Sequence, residues 1–368
     1  MTVGSPRTRE DFERFADFGR RVYADHPAWV PPDAQHVVAQ LSGEFPGADR
    51  TQCRAFWALD DGGEIGATVA AVISEPFNRH WSQDIGHLAY FESMAGHDEA
   101  GEAVIEAACD WLRERKCSAA RLSFFPGWQF PLTIDAYDKA PTFLHAYNPP
   151  RYHGIVRNAG FVTEQCLVEY RTEFTPTLAE QYRRAVETAT AAGVALRSWD
   201  FGQLERETER FCELTNECFA DHWGIPPMTP EELSGLTVGL RDMLVADFTG
   251  FAEIDGKIAG FVYATPDLNQ AFHGMRDKDP AAGADEFQRQ LDRIDHGMLL
   301  IIGVREPWRG QGLNLALAAR SYLAMIQRGY KSASYTLVLD DNWPSRRTAE
   351  KLGGKVARNF VVYRRELA

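Results

Sequence analysis

Three short segments of this chain recur 193 residues further along, and this internal repeat limits the possible folds more than any other feature. The aligned pairs are Gly63 with Gly256, Gly160 with Gly353, and Tyr170 with Tyr363. The first pair lies in glycine-rich turns, the second follows helical segments, and the third lies in the last strand of each half. Chance produces one such match, whereas three at a single offset indicate a duplicated fold.

Both halves show the same predicted order of elements. Each begins with an amphipathic helix, continues through a glycine-turn hairpin, and ends with a strand, a long helix, a strand, a helix and a last strand. This alternation predicts an α/β fold with helices on both faces of a sheet. We place the domains at 1–175 and 193–368, joined by a linker helix over 176–192.

Charge and composition exclude several classes of partner. Lys and Arg number 39 and Asp and Glu number 52, so the net charge is −13. This balance repels phosphate backbones and anionic lipids, and we expect neither a nucleic acid nor a membrane as partner. The apolar run Met298 to Val304 is far shorter than the ~20 residues of a membrane helix. No secretory signal and no Cys-x-x-Cys pair occur, which predicts a cytoplasmic protein with reduced thiols and no metal.

One segment of the second half carries the features of a phosphate-binding loop. An apolar strand ends near Pro307, a glycine-rich turn follows, and an apolar-striped helix runs from about Leu315 to Gly329. Such a turn aims backbone N–H groups and the positive end of the helix dipole at one point, which suits a pyrophosphate. Arg309 adds a full positive charge. The alternative is a surface turn that uses its glycines only for their conformation.

The stretch 304–317 resembles the acyl-CoA motif R-x-x-G-x-[GA] of the GNAT superfamily of N-acyltransferases. The matching residues are Arg309, Gly310, Gln311, Gly312, Leu313 and, as a departure from the small residue of the motif, Asn314. Downstream, Asn342 and the helix ending at Gly353 resemble a second element of that family. The resemblance covers 196–367 well and 11–173 more weakly. It implies two tandem GNAT-like domains, each with a mixed, mostly antiparallel sheet flanked by helices.

The resemblance also implies site residues and a reaction. Ile302, Gly303 and Val304 would bind the pantetheine arm through the main chain, residues 309–314 would hold the pyrophosphate, and Asn342 would contact the far end of the pantetheine. The expected cosubstrate is acetyl-CoA, and the expected acceptor is a primary amine of a small molecule or peptide that attacks the thioester directly. We expect a monomer or a homodimer.

The usual proton-transfer groups of the family are missing. Met298 stands where its Glu is expected, and Ala349 stands where its Tyr is expected. Candidates for a replacement base are Glu217, Asp267 and His222. The structural alternatives are a solvated or capping carboxylate for the two acids and a packed surface imidazole for His222.

The first half lacks the phosphate loop. Where its long helix begins, Asp98, Glu99 and Glu102 would repel a pyrophosphate. An aromatic-rich stretch over 124–147 forms either a packed lid or a wall of the acceptor pocket. Two alternative functions stay open: a non-catalytic acyl-CoA-binding scaffold, because Met298 and Ala349 replace the usual groups, and an aminoacyl-tRNA-dependent transferase, which the charge of −13 disfavours.

Overall fold

The computed structural model describes residues 1–276, 278 and 283–367, which form two compact units. Unit 1 contains residues 1–166, 223–227 and 360–367, and unit 2 contains residues 167–222 and 228–359. Within the described part of the chain, no helix has the length and apolar character needed to cross a bilayer. The fold is α/β, as predicted.

The first half of the chain contributes six strands and five helices ahead of its last strand. In chain order they are β1 (Thr2–Gly4), α1 (Arg9–Val22), α2 (Ala34–Ser42), β2 (Thr51–Leu59), β3 (Ile65–Ser74), α3 (Glu75–Trp81), β4 (Ile85–Ser93), α4 (Asp98–Glu114), β5 (Ala119–Leu122), β6 (Leu132–Thr133) and α5 (Tyr152–Asn158). Thr8 and Asp11 form a reciprocal capping box that starts α1. The aromatic insertion is packed in part: Phe125 and Trp128 are buried in one cluster with Phe77.

The rest of the chain continues with β7 and ends with β13. In order follow β7 (Val162–Glu173), α6 (Pro176–Ala191), β8 (Ala195–Ser198), α7 (Leu204–Cys218), α8 (Pro230–Ser234), β9 (Gly250–Ile254), β10 (Lys257–Pro266), α9 (Leu268–Met275), α10 (Gly283–Leu291), β11 (His296–Val304), α11 (Leu313–Gln327), β12 (Ser332–Leu339), α12 (Trp343–Lys351) and β13 (Lys355–Glu366). The predicted linker helix is α6, which begins at Pro176 behind the capping residue Thr175.

The two units have equivalent sheets. In unit 1 the strand order is β1-β2-β3-β4-β5-β13, with β6 also paired to β13, and in unit 2 it is β7-β12-β11-β10-β9-β8. In each sheet one neighbouring pair is parallel, β4 with β5 and β11 with β12, and the other pairings are antiparallel. This is the mixed, mostly antiparallel sheet that the sequence predicts.

The last strands of the two halves are exchanged between the sheets. From Leu167 onward β7 belongs to unit 2, where it pairs antiparallel with β12, and the corresponding part of β13 pairs antiparallel with β5 in unit 1. The aligned Tyr170 and Tyr363 therefore occupy equivalent positions in opposite units, and both are buried. The boundaries 1–175 and 193–368 stay a prediction about the duplicated sequence segments.

Candidate active site

The central feature of unit 2 is a parallel strand pair that separates partway along its length. β11 and β12 pair from His296 with Ser332 to Leu299 with Tyr335, yet both strands continue, to Val304 and Leu339. Beyond Leu299, β11 is bonded to β10 on one edge and diverges from β12 on the other. The divergence leaves a strand edge to which an extended ligand can add by main-chain hydrogen bonds.

A β-bulge lies at the point of separation. Tyr263 of β10 pairs with Ile301 and the next residue, Ala264, pairs with Leu299, so Leu300 is the extra residue of β11. Bulges bend a strand and redirect its side chains and amides. The predicted pantetheine-binding residues 302–304 follow this bulge directly.

The predicted phosphate loop connects β11 to α11. Gly310 and Gly312 both have φ of +78°, and a Cβ on either meets no heavy atom within 4 Å. Gly312 is the N-cap of α11 and supplies no side-chain cap, so the first N–H groups of a 15-residue helix face an open approach. The loop therefore has the conformation and the free space that backbone binding of an anion requires.

Side chains of the loop fix its shape. Nε of Arg309 donates to the carbonyl of Val304 at 3.1 Å, and Nε2 of Gln311 donates to Pro307 at 3.4 Å. Leu313 is buried at the start of α11. Among the residues that the structure describes, no group donates to the buried Oδ1 of Asn314, the residue that departs from the motif.

Asn342 lies just beyond β12 and caps α12. Its side-chain oxygen accepts from the backbone N–H of Ser345 at 3.2 Å. This cap gives Asn342 a structural role, and the contact of Asn342 with pantetheine stays a prediction. Ser345 also lies 3.0 Å from the hydroxyl of Tyr335, and burial raises the pKa of that tyrosine to about 12.

The three candidate bases lie in different places. Glu217, near the end of α7, accepts from Nε of Arg305 at 2.7 Å and is half exposed. His222 follows α7 and packs its ring edge against Phe219. Asp267 is buried as the N-cap of α9, accepting from the N–H of Asn269, and its own N–H donates to the carbonyl of His296.

The distance of a candidate base from the bulge at Leu300 bears on whether it can reach the thioester. His296 begins β11, four residues before Leu300, a separation of about 13 Å along a strand. Asp267 therefore lies beside the paired end of β11 and not beside the bulge. Asp267 caps α9, as its structural alternative expects, whereas Glu217 forms an ion pair with Arg305; the catalytic roles of both residues stay predictions.

Sequence reasoning missed a polar network on β7, β11 and β12. It consists of Arg171, Ser332, His296, Ser334 and Glu169, and the last four side chains are buried. Its members are far apart in sequence and form no motif. The signal available was an alternation on β7 and β12, where the buried apolar residues Tyr170, Ala333 and Tyr335 stand between polar ones.

The surface beside the bulge is apolar. Leu300 and Ile301 pack, partly buried, against a cluster built around Phe211, Phe261 and Tyr263. Other partly buried members of this cluster are Phe201, Cys218, Phe219, Met228, Leu240 and Ile258. Burial raises the pKa of the Cys218 thiol to about 11, which makes it a poor nucleophile.

In unit 1 the corresponding strand edge is already occupied. β4 and β5 pair from Ile85 to Leu88, and β4 then continues to Ser93. The N–H of Ser93 donates to the hydroxyl of Tyr152 at 2.8 Å, and Arg151 donates to the carbonyl of Ser93. Arg151 also pairs with Asp98 at the start of α4. Side chains at the start of α5 thus take both main-chain groups of Ser93, whereas at the equivalent Val304 of β11 the carbonyl accepts from Arg309 of the loop.

Residues 208–354 match the model of the acetyltransferase (GNAT) family. The bacterial ceramide synthase of Caulobacter vibrioides is 24% identical over 379 aligned positions, which cover 100% of this chain and 98% of that protein. Protein YghO of Escherichia coli is 20% identical over 98% of this chain and 94% of its own length.

Among solved structures, a tandem GNAT protein from the clavulanic acid biosynthesis pathway superposes over all of this chain and 98% of its own. The TM-score is 0.58 and the identity is 13%. At this identity the likeness concerns the fold, and it supports two GNAT-like domains in tandem. The sequence matches extend along the whole chain and not only along the half that carries the phosphate loop.

Proposed function

We propose that this chain, a tandem member of the acetyltransferase (GNAT) family, transfers an acyl group from acyl-CoA to a primary amine. The observation that carries the proposal is one continuous arrangement in unit 2. A bulged strand separates from its parallel neighbour and leads through Gly310 and Gly312 to the uncapped N-terminus of α11. Each part matches one part of CoA, the extended arm and the pyrophosphate.

In this proposal the main chain does most of the binding. Residues 309–314 hold the pyrophosphate through N–H groups, the helix dipole and the charge of Arg309. The pantetheine adds to the edge of β11 at 302–304, where it meets the Arg309 side chain at the carbonyl of Val304, and Asn342 contacts its far end. An N–H group near the bulge polarises the thioester carbonyl, an oxyanion-type contribution of several kcal/mol.

We further propose that the acyl chain is long and that the acceptor is a long-chain amino alcohol. A ceramide is the N-acyl derivative of such an alcohol, and the relative named ceramide synthase aligns with the entire chain. The partly exposed apolar side chains of Leu300 and Ile301 support this choice, because each buried methylene of an acyl chain contributes about 0.8 kcal/mol. The competing donor is acetyl-CoA, the expectation from the sequence motif.

Thiol release distinguishes the donors. Purified protein is given acetyl-CoA or hexadecanoyl-CoA with a panel of long-chain amino alcohols, amino acids and aminoglycosides, and free CoA is measured. We expect release with hexadecanoyl-CoA that depends on the long-chain amine. Release with acetyl-CoA and a small amine identifies an acetyltransferase and refutes the long-chain proposal. Gly256→Ala, in the turn between β9 and β10, is the matched control for variants of the predicted phosphate loop.

A second candidate function is acyl-CoA binding without catalysis. It is favoured by Met298 and Ala349, both buried where the family places its proton-transfer groups. Calorimetric binding of acyl-CoA, with no thiol release for any amine of the panel, identifies this function.

A further inference from the structure

The polar network of unit 2 has one direction, and it ends on a carboxylate. A carboxylate only accepts, so the Ser334 hydroxyl donates to Glu169 and must itself accept from Nε2–H of His296, 2.8 Å away. Nδ1 of His296 then accepts from the Ser332 hydroxyl at 2.8 Å, and Ser332 accepts from Nη2 of Arg171 at 2.8 Å.

This direction fixes the tautomer of His296, which lies between the two serines. The imidazole of His296 is neutral with its proton on Nε2, and burial lowers its pKa to about 4. Hydrogen bonds in series polarise one another, so the chain from Arg171 stabilises negative charge on Glu169. Glu169 is buried and accepts from Ser334 at the end of this chain.

The network lies on the sheet face that carries the apolar cluster beside the bulge. On β7, β11 and β12 the residues Val168, Leu299 and Tyr335 point to the α11 side, so their polar neighbours point to the opposite side. On that side β11 presents Ile301 to the cluster around Phe211.

The position of Ser334 relates the network to the missing base. Ser334 is the register partner of Met298, the residue that replaces the usual Glu. Met298 is two residues, or about 7 Å, from the bulge at Leu300. The carboxylate that β11 lacks is thus present two strands away, on β7, and is joined through β12 to the Met298 position.

We propose that Glu169 is the catalytic base, and that Ser334 and His296 are positioning residues that act through it. This inference rests on the proposed N-acyl transfer. The amine nitrogen attacks the thioester carbon, the C–N bond forms, and the C–S bond breaks with its electron pair leaving on sulfur. Glu169 takes the proton from nitrogen, and the CoA thiolate takes a proton from solvent.

The strand exchange gives this proposal a structural consequence. β7 is the last strand of the first half of the sequence, yet it supplies Glu169 to the sheet that carries the phosphate loop. In the repeat, Val362 of β13 aligns with Glu169 of β7. If the second half were expressed alone and β13 took the position of β7 beside β12, the sheet would have a valine in place of this carboxylate.

The test compares Glu169→Gln with Glu169→Asp. Gln keeps the size of the side chain and the oxygen that accepts from Ser334 but cannot take a proton, whereas Asp keeps the charge and loses length. For a base we expect kcat to fall about 100-fold or more in Glu169→Gln and less in Glu169→Asp, with the acyl-CoA Kd unchanged. For a structural residue the order is reversed, and kcat follows Tm with Gln above Asp.

Glu187→Gln is the control, because Glu187 is an exposed carboxylate on α6, the helix that follows β7. It should keep the wild-type kcat. A wild-type protein that acylates no amine refutes the proposed function, whereas wild-type turnover with undiminished kcat in Glu169→Gln refutes this inference alone.

A double-mutant cycle tests the positioning residue. Ser334→Ala removes a hydrogen-bond donor to Glu169 and should lower kcat in the wild-type background. It should have no further effect in Glu169→Gln, because its action passes through the carboxylate. Additive losses in the two backgrounds contradict the relay.

Discussion

Replacement of Gly312 by alanine separates the conformational demand of the phosphate loop from its binding function. Gly312 has φ of +78°, and an added Cβ meets no heavy atom within 4 Å. The change therefore adds no clash in the free protein and costs backbone strain of about 1–2 kcal/mol. We expect the free energy of unfolding in urea to fall by that amount.

Gly256 provides a control with the same backbone requirement. It has φ of +72° in the turn between β9 and β10, and its added Cβ also meets open space. Gly256→Ala should lose the same stability. Equal losses show that any further difference between the two variants comes from ligand binding.

Affinity for acyl-CoA then distinguishes the variants in calorimetric titration. In Gly312→Ala the new methyl group occupies space through which a phosphate oxygen approaches the main chain, and we expect Kd to rise about tenfold or more, or about 1.4 kcal/mol. Gly256→Ala should keep the wild-type Kd. An unchanged Kd in Gly312→Ala would refute pyrophosphate binding by this loop.

Three further predictions follow from single side chains. Asn314→Gly should keep or tighten acyl-CoA binding, because Oδ1 of Asn314 is buried without a donor among the described residues. Weaker binding in calorimetry would show instead that the amide binds the phosphate. Glu217→Gln and Asp267→Asn should keep kcat within about twofold. The Glu217 carboxylate pairs with an arginine, and the Asp267 carboxylate caps a helix, where Asn replaces Asp well. A tenfold loss of thiol release in either variant would identify that residue as the base. Burial raises the pKa of Glu92 to about 7 despite hydrogen bonds from two tyrosines, so near neutral pH the native state holds a proton that the unfolded chain releases. The free energy of unfolding should therefore fall as the pH rises from about 5 to 7, and it should fall less in Glu92→Gln. Urea titrations at several pH values measure both.

Features encoded within a short stretch of sequence were predictable. The paired glycines at 160 and 353 take φ of +82° and +83° after their helices, which is the equivalence that the repeat predicts. The glycine turn and the helix after it were likewise predictable, because both are encoded in adjacent residues; phosphate binding there stays a prediction. The residues expected to bind pantetheine, Ile302 to Val304, lie in the same stretch of sequence, just before that turn.

The strand exchange was not predictable in this way. The strands containing Tyr170 and Tyr363 are similar in sequence, and each sheet offers an equivalent edge, β12 or β5. Local preference does not choose between the two edges, so the choice depends on pairings between residues distant in sequence. The network that ends at Glu169 depends on the same pairings.

Titration of the full chain with hexadecanoyl-CoA tests the central claim most directly. One site per chain is expected, because unit 2 carries the glycine loop and the uncapped start of α11, whereas the corresponding helix α4 of unit 1 begins with Asp98 and Glu99. Arg309→Glu should abolish or strongly weaken that single site. Two equivalent sites per chain, or undiminished affinity in Arg309→Glu, would contradict the account.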